Sequence, residues 1–156
     1  MEQILILAYG NQLRGDDGVG WHAGEQLRNR IRRDEVEILC QQQLTPELAE
    51  RISWNDAVIF VDAAGEGSTG EVQCERIDAF SGGAHFSHEL TPCALLILAR
   101  ELYAATPLAY TVTVCGKNFE HGEELSAEVR DSMPKLIAEV ERLVDELLMT
   151  HATSQQ

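Results

Sequence analysis

Short apolar runs recur along the chain and are the strongest indication of its fold. The runs at 4–8 (ILILA) and 57–61 (AVIFV) are apolar at every position, which is typical of strands buried on both faces of a parallel sheet. The segments 36–40 and 109–114 predict two further strands. A weakly alternating segment at 71–77 follows a glycine-containing turn and predicts an additional strand, which the pattern allows to be antiparallel at an edge.

Helical periodicity fills the intervals between these strands. Apolar residues spaced by four predict a helix of about three turns over 21–31. Thr-Pro pairs at 45–46 and 91–92 place a capping side chain before a proline, which is typical of a helix start. An apolar stripe over 129–147 predicts a long final helix. Pro134 lies inside that helix, and we expect it to bend or restart the helix because it has no N–H to donate.

Strands that alternate with helices predict an α/β fold with three layers. We expect a twisted, mostly parallel sheet with helices on both faces. The 156 residues fit one domain, which we place at 1–150, followed by a frayed tail at 151–156. In such folds ligands bind beyond the carboxyl ends of the strands. The candidate regions are therefore the turn after the first strand, Asp62, and the loop around His88.

The charge of the chain narrows the choice of partners. Twelve Lys and Arg against 26 Asp and Glu give a net charge of −14. This balance argues against nucleic acid or an anionic membrane as the main partner, because both attract basic surfaces. A metal, a cationic ligand or a basic stretch of another protein remains compatible with it.

Two further features indicate a cytoplasmic protein. No apolar run approaches the roughly 18 residues that cross a bilayer, and the first residues lack the basic region of a secretory signal. The four cysteines stand alone in the sequence and form no CxxC pair. We therefore expect reduced thiols rather than disulfides or a zinc ribbon.

The glycine-rich turn GNQLRGDDGVG at 10–20 carries the first candidate chemistry. Gly18, Gly20 and Ala23 match GxGxxA, but three features oppose dinucleotide binding. The first strand ends too early for a tight phosphate turn, no acidic residue ends the second strand, and Asp16 and Asp17 would repel a pyrophosphate. Paired carboxylates fit a divalent cation better. The plainer alternative is that an aspartate caps the following helix, and we expect this of one of the two.

Asp62 and His88 are the other candidates. Asp62 ends the strand at 57–61, where it would lie at the functional edge of the sheet; an ordinary turn aspartate is an equally good interpretation. His88 precedes the Thr-Pro helix start, and imidazole is a common metal ligand and proton carrier. Two aspartates and a histidine suit a borderline divalent ion with open coordination positions. A Cys–His pair with Cys93 or Cys115 as nucleophile is a weaker competitor, in which Cys93 lies near a helix start.

The order GN-x-L-x-x-DDG-x-G at 10–20, then Val-Asp62-Ala, then His88-x-Leu-Thr-Pro resembles the hydrogenase maturation protease family, from residue 4 to about 148. The resemblance implies an endopeptidase that removes a C-terminal extension from the large-subunit precursor of a nickel–iron hydrogenase after nickel insertion. It maps the metal-binding and catalytic residues onto Asp17, Asp62 and His88. It also implies that the nickel is supplied by the substrate rather than tightly held by the free enzyme.

The resemblance leaves some questions open. The glycine-rich stretch that the family carries after the second strand is replaced by QQQLTP at 41–46. That loop could lie beside the cleft, so the choice of substrate does not transfer. A non-catalytic metallochaperone or checkpoint protein that binds the nickel-loaded precursor would use the same three residues. The division of roles among Asp16, Asp17, Asp62 and His88 is likewise not readable from the motifs.

Overall fold

The computed structural model describes residues 3–81 and 90–154, and the account below is confined to them. In chain order the elements are β1 (Ile4–Tyr9), a short 3-10 helix (Gly15–Gly18), α1 (Val19–Arg30), β2 (Val36–Gln41), α2 (Leu48–Ser53), β3 (Ala57–Ala64), β4 (Val72–Ile77), α3 (Pro92–Tyr103), β5 (Leu108–Cys115) and α4 (Ala127–Ser154).

The strands form one mixed sheet in the order β2-β1-β3-β5-β4. The pairs β2-β1, β1-β3 and β3-β5 are parallel, whereas β4 runs antiparallel to β5 at the edge. This arrangement confirms the predicted mostly parallel sheet and its antiparallel edge strand. Parallel strands need long crossover connections, and α1, α2 and α3 lie in the crossovers.

Helices cover both faces of the sheet, which confirms the three predicted layers. Ile4 and Ile6 of β1 pack on one face in a cluster with residues of α1 and α4. Leu5 and Leu7 point to the other face and pack with residues of α2 and α3. Because successive side chains of a strand point to opposite faces, a strand with helices on both sides must be apolar at every position. All four side chains are fully buried.

The structure corrects the predicted start of α2. The helix begins at Leu48, with Glu47 at the N-cap and no capping bond from a side chain. Thr45 instead accepts a hydrogen bond on its backbone carbonyl, from the N–H of Leu48 at 3.1 Å. The Thr-Pro pair therefore forms a turn before the helix. The second pair behaves as predicted, since the Thr91 side chain accepts from the N–H of Ala94 at 3.1 Å.

The final helix runs as one element from Ala127 to Ser154 and extends beyond the predicted stripe at both ends. Of the two effects expected of Pro134, a bend or a restart, the restart does not occur. Proline removes one bond of the helix, but Met133, Leu136 and Ile137 on either side are buried against the sheet. Tertiary packing of this kind supplies most of a helix's stability. The helix extends four residues into the segment predicted as a tail.

The described residues include neither a membrane-spanning helix nor a disulfide. Within 3–81 and 90–154, no helix is long and apolar enough to cross a membrane. All four cysteines fall in these ranges and none forms a disulfide, as expected.

Candidate active site

The strand order creates a crevice at the carboxyl ends of β1 and β3. The chain leaves β1 toward β2 on one side, whereas β3 and β5 lie on the other, so the order reverses between β1 and β3. Ligand sites of open α/β sheets lie at such switch points. A cleft of about 390 Å³ opens here, lined by Asp17, Asp62, Arg14 and Leu90 together with parts of 9–11 and 42–46.

Asp17 comes from the glycine-rich turn between β1 and α1. Its Oδ2 accepts a hydrogen bond from the backbone N–H of Asn11 at 2.9 Å, and the residue is half-buried. The turn folds closely on itself, because a Cβ on Gly10 would overlap the carbonyl oxygen of Asp17. Gly10 also has a φ of +152°, a backbone conformation that favours glycine. The turn therefore presents Asp17 to the cleft on a fixed backbone.

Asp16 points the other way, into the protein, and is fully buried. Its Oδ2 accepts from the N–H of Lys117 at 2.7 Å, from the N–H of Asn118 at 3.0 Å and from the hydroxyl of Ser126 at 2.9 Å. Its Oδ1 accepts from the N–H of Ser126 at 2.7 Å. These four bonds fix the loop between β5 and α4 against the glycine-rich turn.

The same bonds set the ionisation of Asp16. Burial by itself would raise the pKa of this carboxyl, because charge is disfavoured away from water. The N–H groups of Asn118, Lys117 and Ser126 and the Ser126 hydroxyl all favour the ionised form and outweigh burial, so the pKa is lowered from 3.8. Asp16 is thus an ionised structural anchor, and Asp17 is the acid of the pair that lines the cleft.

Neither aspartate caps α1, so that part of the prediction is wrong. The N-cap of α1 is Gly18, and no side chain bonds to the helix start there.

Gly20, in the first turn of α1, is explained by the close approach of this helix to the sheet. A Cβ on Gly20 would overlap the carbonyl oxygen of Tyr9 and press on that of Val61. Only glycine allows the helix to start this close to the ends of β1 and β3.

Asp62 enters the cleft from the sheet itself. It lies within β3, in register with Thr113 of β5, and the strand continues to Ala64. The strand is therefore longer than predicted, and Asp62 is not part of a turn. A half-buried aspartate on a paired central strand is held more rigidly than one on a free loop, as a ligand or catalytic group requires.

His88 lies outside the described residues, so its predicted convergence with Asp17 and Asp62 stays a prediction. Leu90, two positions further along the chain, lines the cleft. Within 3–81 and 90–154, no three His, Cys, Asp or Glu side chains group as a set of metal ligands.

Two residues of the cleft were not identified as functional from the sequence. Asn11 binds Asp17 through its backbone, and its side-chain Oδ1 accepts from the N–H of Leu13 at 2.9 Å. An asparagine that bonds two residues ahead is typical of a turn, so its place in the motif was an available signal. Arg14 brings a cation to the lining of the cleft. No spacing rule pointed to Arg14, because loop geometry decides where its side chain lies.

Cys93, one of the competing candidates for a nucleophile, loses support. Burial, together with the nearby Asp78 carboxylate, raises the pKa of the Cys93 thiol. A reactive cysteine needs the opposite shift, because the thiolate is the nucleophile.

Comparison with solved structures agrees with the fold described above. The chain is similar to the hydrogenase maturating endopeptidase HybD from Escherichia coli, with a TM-score of 0.78 and 24% identity over 92% of this chain and 93% of that one. It is similar to the [NiFe] hydrogenase maturation protease HycI from Thermococcus kodakarensis, with a TM-score of 0.75 and 23% identity over 92% of each chain. A hydrogenase 2 maturation peptidase from a Thaumarchaeota archaeon gives 0.71 and 22% over 92% and 99%.

No protein-family model and no curated protein sequence matches the chain. The structural likeness extends over nearly the whole chain and over nearly the whole of each structure compared. This protein therefore has the fold of the hydrogenase maturation endopeptidases.

Proposed function

We propose that this protein is an endopeptidase that removes the C-terminal extension of a nickel–iron hydrogenase large-subunit precursor after nickel insertion. The observation that carries the proposal is the pair Asp17 and Asp62, which line one cleft at the switch point of the sheet. The shared fold with maturation endopeptidases supports it. The motif resemblance from the glycine-rich turn to His88 supports it independently of the fold.

The nickel enters this scheme as part of the substrate. Carboxylate oxygens and an imidazole nitrogen suit a borderline divalent ion that keeps some coordination positions for other ligands. We place Asp17, Asp62 and His88 around a nickel ion that the cysteines of the precursor already hold. His88 is two residues from Leu90, which lines the cleft, so the chain length permits this placement. A precursor without nickel would lack the group that these side chains recognise.

Cleavage is then a hydrolysis directed by the bound metal centre. Water adds its oxygen to the scissile carbonyl carbon, the C–N bond breaks, and the protons of the water end on the new amine and carboxylate. A metal ion can polarise the carbonyl or lower the pKa of the water, and a nearby carboxylate can accept its proton. Either Asp17 or Asp62 can serve as this base, since both belong to the cleft.

The test is the mass of the precursor after incubation with the purified protein. Loss of a C-terminal peptide, seen by mass spectrometry, supports the endopeptidase. A stable complex with no change in precursor mass would instead identify a metallochaperone. The variant His88→Ala tests the third ligand, and normal processing by that variant would remove His88 from the scheme.

A further inference from the structure

A second pocket adjoins the acidic cleft and has a different character. It has a volume of about 400 Å³ and shares Gly10, Asn11 and Gln42 with the cleft. Its other lining residues are Leu13, Trp21 and Cys40, with the uncharged amides Gln12 and Gln41. Most of the lining surface is apolar, and no charged residue belongs to it. We call this the apolar pocket. Its continuity with the cleft means that one bound chain can occupy both.

Leu13 forms one wall of the pocket and exposes an apolar side chain to solvent. Its side chain remains 54% exposed, although its backbone is fixed at both ends. Its N–H donates to Oδ1 of Asn11 at 2.9 Å, and its carbonyl accepts from the N–H of Gly122 at 2.9 Å. An exposed leucine on an ordered backbone loses little entropy when a ligand covers it, and it gains from the burial.

Trp21 forms another part of the wall. The indole Nε1 of Trp21 donates to Oε1 of Glu25 at 2.9 Å, which fixes the orientation of the ring. Cys40, which is half-buried, also lines the pocket. Burial raises the pKa of the Cys40 thiol, with Arg28 opposing the shift and Glu25 adding to it, so the thiol itself is uncharged at neutral pH. Oriented aromatic rings beside small apolar groups are typical of binding sites for apolar side chains.

Asn11 connects the pocket to the acid in the cleft. Its backbone N–H binds Asp17 and its side chain binds the backbone of Leu13. The position of the leucine wall and the position of the Asp17 carboxylate therefore depend on the same residue.

We propose that the apolar pocket binds an uncharged, apolar side chain of the precursor segment that is cleaved. This inference rests on the proposed function and adds the substrate chemistry that the glutamine-rich loop left open. An extended peptide advances about 3.3 Å per residue, so a side chain a few positions from the scissile bond reaches the adjoining pocket. No residue that lines the pocket carries a charge that could compensate an ionised ligand group, so an uncharged side chain is favoured there.

The first test compares Leu13→Ala with Leu102→Ala. Leu102 is a matched control, because it is 63% exposed and lines neither pocket. With nickel-loaded precursor as substrate, Leu13→Ala should raise KM about tenfold, as the loss of apolar contacts in a pocket commonly does. Leu102→Ala should leave KM and kcat unchanged. An equal KM for the two variants would overturn the proposal.

The second test reads occupancy directly from the two tryptophans. In a ¹⁵N–¹H spectrum each gives one indole signal, and Trp54 is a reference because it lies outside both pockets, beside Arg51. The probe is a peptide of the last thirty or so residues of the precursor. The Trp21 signal should shift on titration while the Trp54 signal stays. In a set of peptides with single apolar residues replaced by aspartate, one replacement should abolish the shift.

The outcomes separate this inference from the proposed function. Cleavage of the precursor with a silent Trp21 signal would overturn the apolar pocket and leave the endopeptidase intact. A Trp21 shift that Leu13→Ala weakens, without any cleavage, would support the pocket and contradict the endopeptidase. Absence of both cleavage and shift would contradict both.

Discussion

Asp16 and Asp17 are chemically identical neighbours whose surroundings give them different tasks. Asp16 receives four hydrogen bonds and has no exposed surface. Asp17 accepts a hydrogen bond from the N–H of Asn11 and lines the cleft. The family resemblance assigned the cleft to Asp17, but the residue types alone did not separate the two acids, because the distinction depends on a loop about 100 residues later in the chain.

Asp16→Asn should destabilise the protein by about 2–4 kcal/mol, since an amide would turn its NH₂ toward buried N–H donors and leave them unsatisfied. Chemical denaturation measures this loss. Asp17→Asn is the matched control: one amide oxygen is enough to accept the single bond from Asn11, and the free energy of unfolding should change by less than about 0.5 kcal/mol.

The stabilisation by Asp16 should depend on pH in a defined direction. Its pKa in the folded protein is lowered from 3.8, so the unfolded chain binds a proton at higher pH than the folded one. The contribution to stability is therefore complete above the unfolded pKa and is lost as the pH falls through the folded pKa. The stability gap between the wild type and Asp16→Asn should be constant above about pH 5 and shrink below pH 4. A gap that widens on acidification would contradict this assignment.

Asp17→Asn should remove activity while it spares the fold. The amide retains the bond to Asn11 but loses the charge and the basicity that the proposed mechanism assigns to Asp17. Cleavage of nickel-loaded precursor should fall at least about 100-fold, the lower range for a lost acid–base group. Single-turnover cleavage rates check this, with thermal unfolding as the measure of an intact fold. Near-normal cleavage by the variant would exclude Asp17 from both roles.

At the scale of elements, what the sequence predicted well depends on burial. β1 and β3 are recognisable because helices cover both faces of the sheet and every position must be apolar. The predicted start of α2 was wrong because the two Thr-Pro pairs cannot be told apart by their local sequence. The one at 91–92 caps a helix and the one at 45–46 forms a turn, with the adjacent Leu44 buried in the core. Tertiary packing decides between them.

The seating of α1 makes a prediction at this scale. Gly20→Ala places a Cβ against the carbonyl oxygens of Tyr9 and Val61. Alanine is favoured over glycine in a helix by about 1 kcal/mol, but the overlap should outweigh this and destabilise the protein by about 1–3 kcal/mol. Gly65→Ala is the control, because nothing lies within 4 Å of its added Cβ. Thermal denaturation should show a lower Tm for Gly20→Ala only, and equal values for both variants would contradict the close contact.

At the scale of the whole molecule, the position of the cleft follows from topology. The alternation of strands and helices predicted the parallel sheet, and the rule for its carboxyl edge pointed to the glycine-rich turn and Asp62 from the sequence alone. The residues that line the cleft could not all be predicted from this topology. Arg14 and the residues at 42–46 reach it through loop conformations that no hydrophobic periodicity encodes.

The central claim is that the acidic cleft recognises nickel carried by the precursor. The most direct measurement is the mass of hydrogenase large-subunit precursor after incubation with this protein, made in parallel on nickel-loaded and nickel-free forms. We expect loss of a C-terminal peptide from the loaded form alone, and no loss with Asp17→Asn. Equal cleavage of both forms would contradict recognition through nickel, and no cleavage of either would contradict the endopeptidase.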